Sequence, residues 1–168
     1  MTTNAPHAIG WTVAPHPVSV PEPDTLLRRY YAELITRYYG RPTDDDEISF
    51  EMARAPSGDL ARPTGEFLVA RRDGVPAGCA GLRVLDAATT ELTRLYVGPE
   101  ARGQGVATLL IDAVERLAVT DFGALVMRLD TRKDLVEARA LYPKLGYTEI
   151  DRYNDDDLAD HWFEKQLR

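Results

Sequence analysis

The sequence predicts a mixed α/β fold, a single domain with one central sheet and helices on both of its faces. Three observations predict it. Apolar residues recur at helical spacing from Asp24 to Tyr39. The dipeptide Asp73-Gly74 sits between two strand-like runs, the composition of a two-residue hairpin loop. The stretch Glu91-Leu-Thr-Arg-Leu-Tyr-Val-Gly-Pro-Glu-Ala-Arg-Gly-Gln-Gly-Val-Ala107 passes from an apolar strand through a glycine-rich turn into an amphipathic helix.

Residues 1–9 are expected as a flexible N-terminus, with one domain over residues 10–168. Gly10 to Pro15 reads as a first strand, followed by a proline-rich connection from Pro15 to Pro23. The first helix then runs from Asp24 to Tyr39, with Leu26, Leu27, Tyr30, Tyr31, Leu34, Ile35 and Tyr38 recurring at helical spacing, and Gly40 with Pro42 ends it. A second helix starts at Thr43. That residue serves as N-cap, and Asp44, Asp45, Asp46 and Glu47 supply acids to the first turn, where the helix dipole favours them. The same acids could instead draw a cationic substrate, but capping explains them completely. Ser57 to Gly65 has loop composition.

Glu66 to Arg72 and Val75 to Leu85 form the hairpin strands, with Gly78 and Gly81 marking bulges or close backbone approach. Asp86 to Ala88 turns the chain into a strand from Glu91 to Val97. The helix after the glycine turn carries Val106, Leu109, Leu110, Ala113, Val114, Leu117 and Ala118 on one side. A short buried strand, Ala124 to Leu129, follows. Leu135 to Leu145 reads as helix with Gly146 as its cap, then come strands from Tyr147 to Tyr153 and from His161 to Leu167. The order is βααβββαβαββ.

A chain of 168 residues can bury a core without disulfides or metals. Cys79 has no partner cysteine, and His7, His16 and His161 are scattered, so no metal site is expected. The net charge of −7 argues against nucleic acid as a partner. No apolar run is long enough to span a membrane, and Met1-Thr-Thr-Asn-Ala lacks the make-up of a signal peptide. A soluble cytoplasmic protein is expected.

A glycine-rich turn opening a helix leaves several N–H groups pointing one way at the positive end of the dipole. This is an anion site suited to phosphates. No Gly-Lys-Ser/Thr follows Gly105, so it is not a Walker loop. A dinucleotide fingerprint needs a third glycine where this chain has Thr108, although Asp130 stands about where a ribose-binding acid belongs. The antiparallel strands ahead of the turn argue against that fold. A tight turn with no ligand is the remaining alternative.

The order Arg102-x-x-Gly105-x-Ala107 resembles the acyl-CoA pyrophosphate loop of the GNAT superfamily of N-acetyltransferases. The segment Ala138-Arg-Ala-Leu-Tyr142-Pro-Lys-Leu-Gly146-Tyr147 is similar to a second signature of that family, and lies about 35 residues after the turn. Leu-Tyr-Val before the turn and Leu129-Asp-Thr131 match as well. The likeness covers about Glu66 to Leu167, the N-terminal third matching only as a helical lid.

The resemblance implies a mostly antiparallel sheet with a splayed parallel strand pair, Glu91–Val97 and Ala124–Leu129, and acetyl-CoA seated between them. It implies that Leu95, Tyr96 and Val97 pair with the pantetheine arm. Arg102, Gly103, Gln104, Gly105, Val106 and Ala107 then cradle the pyrophosphate. A backbone N–H near Leu95 or Tyr96 is the implied oxyanion donor. Glu91 matches a base used by some relatives, often through water, and Tyr142 matches the family's thiolate-protonating tyrosine.

Two departures stand out. Pro143 follows Tyr142 directly and biases it away from helical geometry, so a kink or helix end is expected there. Many relatives also carry an asparagine where this chain has Leu135, leaving Thr131 or Arg132 as substitute cofactor contacts. Asn154 lies where acceptors often bind in the family, next to Asp155, Asp156 and Asp157, which could draw a cationic amine or simply be solvated. Trp162 and Phe163 are expected in the core or at a subunit contact, which makes a homodimer a candidate. The expected activity is transfer of an acetyl group from acetyl-CoA to a primary amine of a small or amino-acid-like acceptor, by direct attack in a ternary complex. A CoA-binding regulatory module without catalysis and a nucleotide-binding α/β domain are the alternatives.

Overall fold

A computed structural model describes residues 10–19 and 21–168, in which the elements follow the order read from the sequence. The flexible N-terminus expected over residues 1–9 lies outside the described residues. The sheet is built from β1 (Trp11–Pro15), β2 (Gly65–Arg72), β3 (Val75–Val84), β4 (Thr89–Val97), β5 (Val126–Thr131), β6 (Thr148–Ile150) and β7 (His161–Gln166). Their spatial order is β1-β2-β3-β4-β5-β7-β6. Only β4 and β5 run parallel; the other neighbours are antiparallel. The helices are α1 (Pro21–Tyr39), α2 (Asp45–Arg54), α3 (Val106–Phe122) and α4 (Val136–Lys144).

Local chemistry explains most boundaries. Arg72 pairs with Val75, leaving Asp73 (φ 52°) and Gly74 (φ 77°) as a two-residue loop with both φ values positive. That geometry matches the twist of the strands it joins. Helix α1 begins at Pro21, inside the stretch read as a connection. Prolines are tolerated in a first turn, where N–H groups lack intrahelical acceptors. The cap of α2 is Asp44 rather than Thr43: the Asp44 side chain accepts from Glu47 N at 2.8 Å, while Thr43 bonds the Glu47 carboxylate.

Two strand expectations are corrected. β5 spans Val126–Thr131 and alternates between half-buried and buried residues, where a short buried strand from Ala124 to Leu129 was expected. Met127, Leu129 and Thr131 point inward, and Arg128 and Asp130 occupy the other face, as a pleated strand requires. The strand read from Tyr147 to Tyr153 shrinks to Thr148–Ile150. Beyond it the chain leaves the sheet, and the Tyr153 hydroxyl reaches Glu91 instead.

Helices α3 and α4 cover one face, where Leu110, Ile111, Val114, Met127, Tyr142 and Phe163 form the larger core. Ile111 is fully buried there, although the sequence reading left it off the apolar side of the helix. The other face meets α1, with Leu26, Leu27, Phe67, Val69 and Tyr96 in a second core. Strand β2 feeds both, sending Leu68 and Ala70 one way and Phe67 and Val69 the other.

The feature that positions the site is the way β4 leaves β5. The two strands pair only from Thr89↔Val126 to Glu91↔Arg128. Past Glu91, β4 follows β3, and the register slips between Gly81↔Thr93 and Cys79↔Tyr96. One extra residue is thus inserted in β4, next to Arg94 at φ 55°. A bulge bends the strand that carries it, and the two strands part. Gly78 and Gly81 allow the close fit behind the bulge. An added Cβ would meet Tyr96 O at 2.9 Å in the first case and Leu60 Cδ1 at 2.8 Å in the second.

Candidate active site

The gap between β4 and β5 opens into a cleft of ≈ 440 Å³. Leu95, Tyr96 and Val97 of β4 form one wall, and Arg102, Gly103, Gly105, Val106 and Ala107 line the turn beneath it. Leu135, Ala138 and Leu141 close the α4 side. Helix α1 contributes Tyr30, Glu33, Leu34 and Arg37, residues spaced for one helical face, which the sequence reading treated only as part of a lid.

The turn has the properties of an anion cradle. A 3-10 turn, Pro99–Ala101, leads into it, and Gly103 (φ 76°) and Gly105 (φ 79°) take left-handed conformations open to glycine. A Cβ at Gly103 would meet nothing within 4 Å, so the backbone there is uncovered. Gly105 caps α3 without a side-chain hydrogen bond, and Leu109 N to Gly105 O (3.1 Å) closes the first helical turn. The amides ahead of it have no intrahelical acceptor and carry the positive end of the dipole.

Arg102 lies beside this cradle but faces α1. Its Nη2 donates to both Glu33 oxygens at 2.8 Å, and its Nε donates to Val97 O at 2.9 Å. Arg37 bridges from α1 to Glu137 of α4 (3.1 Å) and lies 3.6 Å from Glu33. These half-exposed pairs are worth at most about 1 kcal/mol each. A phosphate that offers a fuller set of acceptors can displace them.

Not every residue expected at the cofactor lies in the cleft. The Gln104 side chain turns away, accepting from Trp11 Nε1 (3.3 Å) and Arg72 Nη1 (2.8 Å). Thr131 is buried on the face opposite Asp130 and pairs with His161 of β7. Arg132, the other substitute considered, is committed to Asp134 (2.7 Å) and Leu34 O (2.8 Å), which ties α1 to the β5–α4 loop.

Deeper in the splay, on the α1 face, stands a polar cluster. Glu91 is 7 % exposed; its Oε1 accepts from Arg83 Nη1 (2.9 Å) and its Oε2 from the Tyr153 hydroxyl (2.7 Å). Asp59 holds the far side of Arg83. Asp130 Oδ2 accepts from Asn154 Nδ2 at 2.6 Å, and Asn154 Oδ1 accepts from Trp162 Nε1 at 2.9 Å. Trp162 is therefore a strut for Asn154, while Phe163 joins the core against Tyr142 as expected. Burial pushes the Asp130 carboxyl up to about 6, with the Glu91 charge adding to it and the Asn154 bond opposing it. Sequence reasoning weighed Asp130 only as a ribose ligand; its place two residues beyond the last β4–β5 pair is the signal it missed.

Tyr142 is 5 % exposed, edge-on to Tyr147 and tilted against Phe163. Burial, followed by the nearby Tyr30 and Asp130, raises its phenol above the ordinary range, so it stays protonated. Pro143 neither ends α4 at Tyr142 nor unwinds it. The helix continues to Lys144, and Leu145 N still bonds Leu141 O at 3.2 Å, so the proline removes only its own N–H. Cys79 is buried at the bulge with its thiol pushed up to about 12 by burial, chemically quiet.

Among the described residues no helix is long and apolar enough to cross a membrane, and no His/Cys/Asp/Glu group could hold a metal.

The fold recurs in known structures. The chain superposes on the PaiA N-acetyltransferase of Thermoplasma acidophilum in complex with coenzyme A with TM-score 0.71, at 21% identity, covering 92% of this chain and 99% of that one. A GNAT family acetyltransferase from Elizabethkingia anophelis with acetyl-CoA bound gives TM-score 0.63 at 18% identity, covering 94% and 99%. In sequence, the IAA acetyltransferase of Azospirillum brasilense is 33% identical over 91 residues, 54% of this chain and 59% of that protein. An uncharacterized N-acetyltransferase of Schizosaccharomyces pombe is 32% identical over 111 residues, 65% and 64% of the two chains. The matches thus span about three-fifths of these two relatives. The model of the acetyltransferase (GNAT) family matches residues 26–147, well over half of the chain and every element from α1 to α4, and the protein belongs to that family.

Proposed function

We propose that the protein is an acetyl-CoA-dependent N-acetyltransferase that acetylates a primary amine of a small or amino-acid-like acceptor by direct attack in a ternary complex. The observation that carries this reading is the splay itself, a strand edge left unpaired beyond Glu91 that leads to an uncapped helix N-terminus. A pantetheine arm fits the open edge of Leu95–Val97, and a pyrophosphate fits the amides of Gly103 to Ala107. Bound acetyl-CoA supplies an activated thioester. The protein's part is to orient it, polarise its carbonyl from the β4 backbone, and manage two protons.

Tyr142 is the hydrogen-bond donor to the departing sulfur. Its phenol holds a proton more firmly than a thiol of pKa near 8.5. It therefore stabilises the thiolate by donating to it, rather than by surrendering the proton outright. A hydrogen bond to a charged group is worth about 1.5–3 kcal/mol. Tyr142→Phe is accordingly expected to lower kcat by about tenfold to a hundredfold with acetyl-CoA affinity retained. Because Pro143 leaves α4 continuous, Pro143→Ala is expected to keep nearly full turnover. Steady-state kinetics on the two variants checks both, and a fully active Tyr142→Phe would reduce that residue to packing.

Glu91 was the expected base. In this reading its carboxylate, already holding Arg83 and Tyr153, supplies negative potential toward a cationic amine and fixes the Tyr153 ring. Glu33 competes with the cosubstrate for Arg102. Glu33→Gln should bind acetyl-CoA about threefold to fivefold more tightly, the size of one half-exposed ion pair, and Arg102→Ala more weakly. Calorimetry decides the sign. The function as a whole is tested by amine-dependent release of CoA thiol across a panel of primary amines. Tight acetyl-CoA binding with no amine consumed anywhere in the panel would favour a regulatory module.

A further inference from the structure

The β4–β5 ladder ends at Glu91↔Arg128, and the next residue of β5 on that face is Asp130. Asp130 thus stands at the base of the splay, on the side away from the α3–α4 core. Its environment is built from several elements. Asn154 bonds one oxygen, and because Trp162 holds the Asn154 carbonyl, the amide can present only its NH2 group to Asp130. No hydrogen bond among the described residues engages the other oxygen, Oδ1. Within electrostatic reach are Glu91 from β4, Tyr30 from α1, Tyr142 from α4, Tyr153 and Asp156 from the loop between β6 and β7, and Arg83 from β3. Arg83 is already shared between Asp59 and Glu91. The place is therefore electronegative, half-buried, and within electrostatic reach of the phenol assigned to the leaving sulfur.

Glu91 and Asp130 differ in a way that decides between them. Both Glu91 oxygens are engaged, by the Arg83 guanidinium and the Tyr153 hydroxyl, so an incoming N–H donor would have to compete with both. Asp130 has a lone pair to spare.

Resting on the transferase reading above, we propose that Asp130 receives the acceptor's proton and that Asn154 is its positioning residue. The ammonium form docks against Asp130 and Glu91. One N–H proton passes to Asp130 Oδ1, and the freed nitrogen lone pair attacks the thioester carbonyl carbon. The C–S bond breaks with its electrons on sulfur under the Tyr142 hydrogen bond, the second nitrogen proton passes to that thiolate as the amide forms, and Asp130 returns its proton to solvent. The products are the acetamide, CoA thiol and one proton released to solvent. An alkyl amine of pKa near 10 is only about one part in a thousand neutral at pH 7, whereas an aryl amine is already neutral. Only the first needs such a base. The burial that lifts the Asp130 carboxyl to about 6 places it where a base works near neutrality.

The test follows CoA thiol release by the full chain from pH 5 to 9 with two probes of like size, 2-phenylethylamine and 4-methylaniline. In Asp130→Asn, kcat/KM for the alkyl amine is expected to fall about a hundredfold or more, while the aryl amine changes less than about threefold. The acid limb near pH 6 should vanish with it. Asn154→Ala should move that limb upward, because the carboxylate loses a stabilising bond. Equal losses on both probes, or an acid limb that survives in Asp130→Asn and disappears in Glu91→Gln, would overturn the assignment. Carboxyl carbon NMR of the wild-type protein gives a readout independent of turnover. An Asp130 midpoint near 6 that shifts when 2-phenylethylamine is added with acetyl-CoA supports it; a midpoint below about 4, or one indifferent to the amine, overturns it. Failure of the wild-type protein to bind acetyl-CoA in calorimetry would reject the transferase reading instead.

Discussion

Gly105→Val is expected to abolish measurable acetyl-CoA binding, while Gly123→Val leaves it intact. Both glycines cap α3 in the left-handed region, Gly105 at φ 79° and Gly123 at φ 65°. A β-branched side chain therefore strains the backbone at either end by a similar amount, about 1–2 kcal/mol. Only the first end lies in the cleft, where the proposed cosubstrate needs backbone to approach its phosphates and where a turned amide would no longer donate. Losing one charge-assisted bond of about 1.5–3 kcal/mol already weakens binding by tenfold to more than a hundredfold, and the cradle offers several. The paired design separates strain from recognition. Calorimetry showing equal affinity in the two variants would remove the phosphate from this turn.

Gly65→Ala is expected to have the largest effect on stability. Gly65 opens β2 beneath the loop that carries Asp59, and a Cβ there would collide with Leu82 O and come 2.7 Å from Asp59 O. Both obstacles are backbone, so neither can swing aside as a side chain would. A loss of at least about 3 kcal/mol is anticipated, the range reserved for severe steric conflict in a core. The site should suffer as well, because Asp59 braces Arg83, which in turn holds Glu91. Urea denaturation monitored by far-UV circular dichroism measures the first effect. A wild-type midpoint would show that the loop can move away.

What the sequence made legible was whatever local chemistry decides. The Asp73-Gly74 hairpin and the run from strand through glycines to α3 follow from backbone preferences within a few residues, and each stands where it was read; α4 ends a residue early, with Leu145 as its cap and Gly146 (φ 93°) just beyond it. Contacts made by docking were not legible. Nothing local says that Glu33 and Arg37 of α1 will reach Arg102 and Glu137, since that depends on where α1 lies across the sheet. Motif adjacency also misplaced side chains. Thr131 neighbours Asp130 in the chain, but strand alternation sends the two to opposite faces. Gln104 sits inside the cradle sequence, yet its amide is taken by Trp11 and Arg72. The link from Asp130 through Asn154 to Trp162 joins a strand, a loop and another strand with no periodic signature, and β6 ended early where Tyr153 turned in toward Glu91.

The central claim is that the gap between β4 and β5, together with the turn before α3, holds acetyl-CoA. Backbone amide NMR of the full chain during titration with acetyl-CoA tests it most directly. Saturable shifts are expected at Gly103, Gly105, Val106 and Ala107, where phosphate oxygens meet N–H groups, and along Leu95 to Val97, where the pantetheine arm lies against the open strand edge. Residues 12–15 of β1 and 66–69 of β2, beyond the Trp11 and Arg72 side chains that hold Gln104, should stay still. Saturable shifts confined to other surfaces, or none at millimolar acetyl-CoA, would contradict it.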